Sequence, residues 1–122
     1  MGIYRDLVVW QKAYKFALDI YKITKRFPKE ELFGLTSQMR RAASSIPANI
    51  AEGSMRQSKR EFQQFIRIAR GSMAEMEVWL QLACDLRYLD QETYKELSAQ
   101  CNEVGKLLHG LLKSLKAELR PS

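Results

Sequence analysis

Residues 58–89, SKREFQQFIRIARGSMAEMEVWLQLACDLRYL, decide the fold of this chain. Ser58 and Glu61 have the S-x-x-E spacing of a capping box, which marks the start of a helix. Apolar side chains then recur at steps of three and four residues, as one helical face requires. The first apolar seam contains Phe62, Ile66, Ala69, Met73, Met76, Leu80 and Ala83. The second seam contains Phe65, Ile68, Ser72, Trp79, Leu82 and Leu86. Together the seams cover a wider arc of a helical wheel than one core needs. We therefore expect this helix, running to about Leu89, to bury surface on two sides.

The segment that follows predicts another bundle helix. Asp90 is a good N-cap residue, and a nearly unbroken repeat of three-residue and four-residue steps comes after it. The repeat contains Tyr94, Leu97, Cys101, Val104, Leu108, Leu111, Leu115 and Leu119.

The segment before it predicts a helix over residues 32–53. Its apolar positions are Leu32, Leu35, Met39, Ala43, Ile46 and Ile50. Gly53 should end the helix, since glycine accepts a positive φ. Pro47 cannot donate to the carbonyl of Ala43, which predicts a kink at which Ser44 or Ser45 satisfies freed backbone groups. The alternative is two shorter helices split at Ser45.

A first helix should begin near Asp6, acting as N-cap, and end before Pro28. Its apolar stripe contains Trp10, Ala13, Ala17, Ile20, Thr24 and Phe27, widened by Val9, Phe16 and Ile23. The opposite arc carries Lys12, Lys15, Lys22, Lys25, Arg26 and Lys29. This basic face is either solvated or directed at phosphates.

The connections at residues 28–31, 54–57 and 89–90 are short, so neighbouring helices must run antiparallel. The 122 residues suit a single domain, and no alternating pattern of strands competes with the helices. The sequence predicts one all-α domain over residues 1–122, an antiparallel up-down-up-down four-helix bundle.

Charge and composition suggest the compartment and the partner. Met1 to Trp10 lacks the apolar region of a signal peptide, and no segment approaches ~20 consecutive apolar residues, so we expect a cytoplasmic protein without a membrane partner. Cys84 and Cys101 should be free thiols that fill the core. Residues 1–70 hold 14 Lys and Arg against 6 Asp and Glu, whereas residues 71–122 hold 6 against 8. Such asymmetry suggests a polyanion.

No catalytic pattern is evident in the sequence. Di-iron bundles need Glu-x-x-His pairs, but Lys106 lies three residues before the single histidine, His109. One histidine and two cysteines make no plausible zinc set, and no Gly-rich phosphate loop or nucleophile elbow is present. We expect a protein without metal or cofactor that is not an enzyme; a hydrolase or nuclease has no metal or nucleophile set to support it.

One basic row is a candidate nucleic-acid interface. On a helical wheel of residues 56–89, the row spans about 100° on the side opposite the apolar seams. It contains Arg56, Lys59, Arg60, Arg67 and Arg70. Such a row either tracks a phosphate backbone or is a solvated face aided by Glu61 and Glu77.

Two polar groups accompany the helices. Glu75 lies on the second seam, and a short turn would bring Arg40 and Arg41 near Arg70 and Glu75 as a semi-buried Arg–Glu network. An architectural clasp is favoured there over a catalytic acid. Asn49 and Glu52, with Gly53, follow Pro47. They either fix the corner between the two helices or form a small recognition corner beside Arg56.

Five stretches resemble the 23S rRNA intervening-sequence protein family. They are YRDLVVWQKA at 4–13, RRA at 40–42, SIPANIAEG at 45–53, FQQF at 62–65 and ARGSMAE at 69–75. The resemblance implies a bacterial four-helix bundle without an established biochemical role, encoded in some bacteria within 23S rRNA genes. It is also similar to accessory proteins of diversity-generating retroelements, which form pentameric rings and bind nucleic acid. By this resemblance the family-motif polar positions are Arg40, Arg41, Asn49, Glu52, Arg70 and Glu75.

The function expected from these observations is nucleic-acid binding by a homo-oligomer, with a pentamer implied by the resemblance. The candidate contacts are Arg56, Lys59, Arg60, Arg67 and Arg70, with Lys12, Lys15 and Lys22 on the first helix. The alternative is a scaffold whose basic row contacts an acidic protein, or whose second seam docks a partner helix.

Overall fold

The computed structural model describes residues 3–118, apart from the side chain of Glu118, and contains four long helices in that range. Helix α1 spans Val8–Thr24, α2 spans Leu35–Ser54, α3 spans Lys59–Asp85 and α4 spans Gln91–Glu118. Short 3-10 turns lie at Tyr4–Asp6 and Lys29–Glu31. No strand occurs between residues 3 and 118. Leu119, expected on the last helix, lies outside the described residues.

The helices form a four-membered bundle in chain order. Helix α1 packs on α2, α2 on α3 and α3 on α4, and α1 closes the bundle against α4. In the described part of the chain, the diagonal pairs α1–α3 and α2–α4 make no close backbone approach. This arrangement confirms the predicted up-down-up-down bundle.

The core is built from the predicted apolar stripes of all four helices. Its largest fully buried side chains include Phe16, Ile20, Met39, Ile46, Ile66, Met76, Leu80 and Leu108. Removing each such side chain from water contributes about 1.5–3 kcal/mol. Cys84 and Cys101 are buried free thiols, as predicted. Burial raises the pKa of the Cys101 thiol to about 12, with a smaller contribution from the Glu77 carboxylate.

Two predicted helix starts are confirmed by hydrogen bonds. The amide of Glu61 donates to the Ser58 hydroxyl at 3.0 Å, and the amide of Thr93 donates to the Asp90 carboxylate at 2.7 Å. The hydrogen bond from the Thr93 backbone holds the pKa of Asp90 below its ordinary value. The N-cap predicted at Asp6 is wrong, because the chain makes a 3-10 turn there and α1 starts after Leu7.

The predicted end of α3 at Leu89 is also wrong. The helix stops at Asp85, and Arg87 adopts a left-handed φ of 64°. The amide of Arg87 donates to the carbonyl of Cys84, and the amide of Tyr88 donates to that of Ala83, both at 2.9 Å. These are the two bonds of a Schellman motif, with arginine in the place usually taken by glycine.

Helix α2 departs from the prediction at both ends, and its centre rules out one alternative. Leu32 is exposed and precedes the helix, which begins at Leu35. The helix continues through Pro47, so the alternative of two helices split at Ser45 is wrong. Gly53 has no positive φ and lies within the helix, so it is not the predicted stop.

Candidate nucleic-acid interface

Three arginines form an unneutralised row along the first half of α3. Arg60, Arg67 and Arg70 are exposed, and none of them forms an ion pair within 4.0 Å among residues 3–118. Their sequence spacing places them on one face, since a helix turns 100° and rises ~1.5 Å per residue. We refer to these three residues as the arginine row. Their guanidinium groups are fixed positive charges with free donors in the geometry that phosphates accept.

Helix α4 adds basic side chains beside the arginine row, and the sequence prediction missed them. Arg70 lines a groove of about 400 Å³ between α3 and α4 together with Lys106, His109 and one carboxylate, Glu77. Lys113 and Lys116 follow at the same three-residue and four-residue spacing on α4 and are exposed. Because α4 runs antiparallel to α3, with Gly105 beside Met73, this register places Lys116 at the level of the first turn of α3. The sequence signal for this basic face was the three-residue and four-residue spacing of Lys106, His109, Lys113 and Lys116.

Arg56, the first member of the predicted basic row, already contacts two carboxylates and one aromatic ring of its own chain. Its guanidinium lies 3.5 Å from the Glu52 carboxylate and 4.0 Å from that of Glu61. It also lies over the Phe65 ring, 4.9 Å from the centroid. Arg56 therefore helps to hold the corner between α2 and α3. Lys59 is exposed at the first turn of α3.

The basic face predicted on α1 is partly neutralised by carboxylates. Lys12 lies 3.2 Å from Glu103 of α4, and Lys15 lies 2.7 Å from Asp19. Gln100 of α4 also donates to Asp19 at 3.0 Å. Burial raises the pKa of Asp19, but the hydrogen bonds from Lys15 and Gln100 outweigh it and lower the pKa overall. Lys22 is exposed. These contacts make α1 a weaker candidate for phosphate binding than α3.

The residues of the predicted polar network do not form one Arg–Glu cluster. Arg40 turns toward α1, where it donates to the Thr24 hydroxyl at 2.9 Å and lies over the Tyr21 ring. Glu75 is exposed, and within residues 3–118 it forms no ion pair with Arg40, Arg41 or Arg70.

The remaining members divide among separate contacts. Asn49 donates to the carbonyl and hydroxyl of Ser45 at 2.7 and 2.9 Å, and Glu52 pairs with Arg56. Arg41 and Glu75 line one small polar cavity of about 170 Å³ with Ser45 and Ser72. The cluster is divided because Arg40 faces α1 and not α3.

Between residues 3 and 118, no group of three or more His, Cys, Asp or Glu side chains is placed to hold a metal ion. His109 is exposed on α4. None of the described helices combines the length and the apolar character needed to cross a bilayer.

Comparison with known proteins identifies the family. The chain is similar to a crystal structure of a protein with unknown function from the S23 ribosomal protein family of Bacteroides thetaiotaomicron. The two are 33% identical with a TM-score of 0.81, over 87% of this chain and 96% of the other. No curated protein matches the chain. The family model described as 23S rRNA-intervening sequence protein matches residues 5–110. The chain therefore belongs to the 23S rRNA-intervening sequence protein family.

Proposed function

We propose that this protein is a non-enzymatic accessory protein that binds nucleic acid as a homo-oligomer. The observation that carries the proposal is the arginine row, because Arg60, Arg67 and Arg70 are exposed and have no carboxylate partner among the described residues. Lys106, Lys113 and Lys116 extend the same basic surface onto α4. Each cation that meets a phosphate releases condensed counterions, so such a surface binds without sequence preference and in a salt-dependent way.

The proposal is tested by retention of radiolabelled RNA and duplex DNA on filters over a range of salt concentrations. We expect the affinity of the native protein to fall steeply as salt rises. The triple variant Arg60→Glu, Arg67→Glu and Arg70→Glu should bind more weakly and keep its helical circular dichroism. If all three arginines contact phosphates of duplex DNA, the slope of log affinity against log salt should decrease by about 3.

A control variant separates the arginine row from net charge. The triple variant Lys25→Glu, Arg26→Glu and Lys29→Glu makes the same change in charge at exposed positions between α1 and α2. We expect it to keep most of the affinity. Equal losses in the two triple variants would contradict the assigned surface, and no retention of either nucleic acid at low salt would contradict the function.

The oligomer is expected to be a pentamer, by likeness to the ring-forming accessory proteins. Light scattering on the pure protein tests this part, since a pentamer has five times the 14.2 kDa mass of one chain.

A further inference from the structure

An aromatic groove of about 350 Å³ runs between α1 and α2. One wall presents Tyr4, Trp10, Tyr14 and Tyr21, and the α2 side contributes the small residues Ala48 and Ala51. The rings support one another, since Trp10 stacks on Tyr14 at 4.9 Å and meets the edge of Tyr4 at 5.1 Å. The wall is therefore preorganised. Aromatic side chains around a pocket of small residues are typical of protein interfaces.

The groove is bordered by positive charge. Arg5 lies over the Tyr4 ring at 5.5 Å, and Arg40 lies over the Tyr21 ring at 5.0 Å. Arg40 is held there by its hydrogen bond to Thr24. Among the described residues, no carboxylate lines the groove. The groove therefore suits an apolar occupant that carries acidic groups.

A matching surface lies on the outer face of α3, and we name it the α3 ridge. Its members alternate at steps of three and four residues, as in a helix-packing seam. They are Ile68, Gly71, Glu75, Val78, Leu82 and Asp85. Ile68 is 52% exposed, Val78 60% and Leu82 40%. The charged members of the ridge are both carboxylates, opposite in sign to the border of the groove.

Gly71 leaves room for a partner on the α3 ridge. A Cβ placed at this exposed position would have no atom of its own chain within 4 Å. The fold of one chain therefore does not require glycine there. Glycine inside a helix costs about 1 kcal/mol relative to alanine. Because it has no side chain, Gly71 would let the backbone of a second helix approach the ridge closely.

We propose that the α3 ridge of one copy docks in the aromatic groove of a second copy. The groove and the ridge lie on different sides of α2, so one chain cannot fill its own groove. The contact is heterologous, and repeating it produces a closed ring or an open chain of copies. This inference rests on the oligomer in the proposed function and names its contacting surfaces. Most of the ridge, from Glu75 to Asp85, lies on the second half of α3, beyond the arginine row.

Three matched leucine variants test the contact. Leu18→Glu changes the groove, Leu82→Glu changes the ridge, and Leu32→Glu changes an equally exposed leucine outside both surfaces. We expect the native protein and Leu32→Glu to form the same oligomer in light scattering. Leu18→Glu and Leu82→Glu alone should each have the 14.2 kDa mass of one chain.

Mixing the two monomeric variants gives the sharpest test. Leu18→Glu keeps an intact ridge and Leu82→Glu keeps an intact groove, so an equimolar mixture should form a dimer of one copy of each and stop there. A mixture that remains monomeric would overturn the pairing of groove with ridge. So would a monomeric native protein, or either variant keeping the native oligomeric mass.

Two further measurements keep the test decisive. Circular dichroism checks that each variant is folded, and if Leu18→Glu unfolds, the exposed Ala48→Glu replaces it with the same expectation. Filter retention of RNA is measured on every variant. If Leu18→Glu no longer retains RNA but keeps the native oligomeric mass, the groove binds nucleic acid. That result overturns the inference. Failure of the proposed nucleic-acid binding would instead appear as native protein that forms the oligomer but retains no RNA.

Discussion

Gly53 matters to the fold because it has no side chain. The sequence predicted a left-handed helix stop at this residue, but the helix continues through it. A Cβ at Gly53 would lie 2.7 Å from the Cβ of Phe65 and 2.8 Å from the Cδ1 of Phe62. Glycine is required because α3 approaches α2 closely at this point. The sequence pattern marked Gly53 as important but suggested the wrong reason. The real reason is a close approach between two helices, which a pattern within one helix does not reveal.

Substitution of Gly53 should therefore destabilise the bundle through steric overlap. We expect Gly53→Ala to lower the free energy of unfolding by about 1–3 kcal/mol, the usual cost of overpacking. Urea unfolding followed by circular dichroism measures this change.

Gly110→Ala is the matched control for this substitution. Gly110 is exposed in α4, and a Cβ there would have no neighbour within 4 Å. It should raise the free energy of unfolding by about 0.5–1 kcal/mol, because alanine favours the helix. Equal stability of Gly53→Ala and the native protein would contradict the assigned close approach.

At the scale of elements, the interface between α2 and α3 contains a polar tie, the hydrogen bonds among Ser45, Asn49 and Ser72, in addition to its apolar contacts. Ser72 of α3 donates to the Ser45 hydroxyl of α2 at 2.9 Å, and Asn49 donates to the same oxygen. Ser72 is buried. The sequence predicted a polar cluster in this region built from arginine and glutamate. The structure ties the two helices instead through short neutral side chains, which reach across a close interface.

This tie should appear as coupling between two serines. Ser45→Ala and Ser72→Ala should each destabilise the protein by about 1 kcal/mol, because each leaves a polar partner without its hydrogen bond. The double variant should be less destabilised than the sum of the two single variants. A double-mutant cycle from urea unfolding measures the difference.

Ser54→Ala serves as the control for the cycle. Its hydroxyl donates only to the carbonyl of Ala51 in its own helix. We expect no coupling between Ser54 and Ser72. Additive effects of Ser45→Ala and Ser72→Ala would show that the contact between the helices contributes nothing of its own.

At the scale of the whole molecule, charge is segregated along α3. The first half carries Arg60, Arg67 and Arg70, and the second half carries Glu75, Glu77 and Asp85. Under the proposed function and the proposed contact, this division would let one helix present a basic surface to a polyanion and an acidic apolar ridge to another copy of the chain. The net charge of +6 conceals the division.

Association of copies should make thermal stability depend on protein concentration. Unfolding of an oligomer is coupled to dissociation, so mass action raises the melting temperature as concentration rises. We expect this rise for the native protein and for Leu32→Glu, and a constant melting temperature for Leu82→Glu. Differential scanning calorimetry over a wide concentration range measures it. A native melting temperature that does not change with concentration would contradict the association.

Most of the fold was predictable from the sequence because its causes are local. The apolar residues at steps of three and four determined the four helices and their buried faces, and short connections determined the antiparallel order. Ser58 and Asp90 marked helix starts because an N-cap acts within one turn. The arginine row was also readable, since its members lie on a single helix and, among the described residues, no carboxylate of another helix pairs with them.

Contacts between residues on different helices were decided only by the tertiary structure. Glu103 of α4 neutralises Lys12 of α1, and Lys106 joins Arg70, although these partners are far apart in sequence. The aromatic groove exists because α1 packs beside α2, and Gly53 is needed because α3 packs on it. Helix periodicity specifies which face of a helix is buried, but the partner and the distance of approach are set when all four helices pack together.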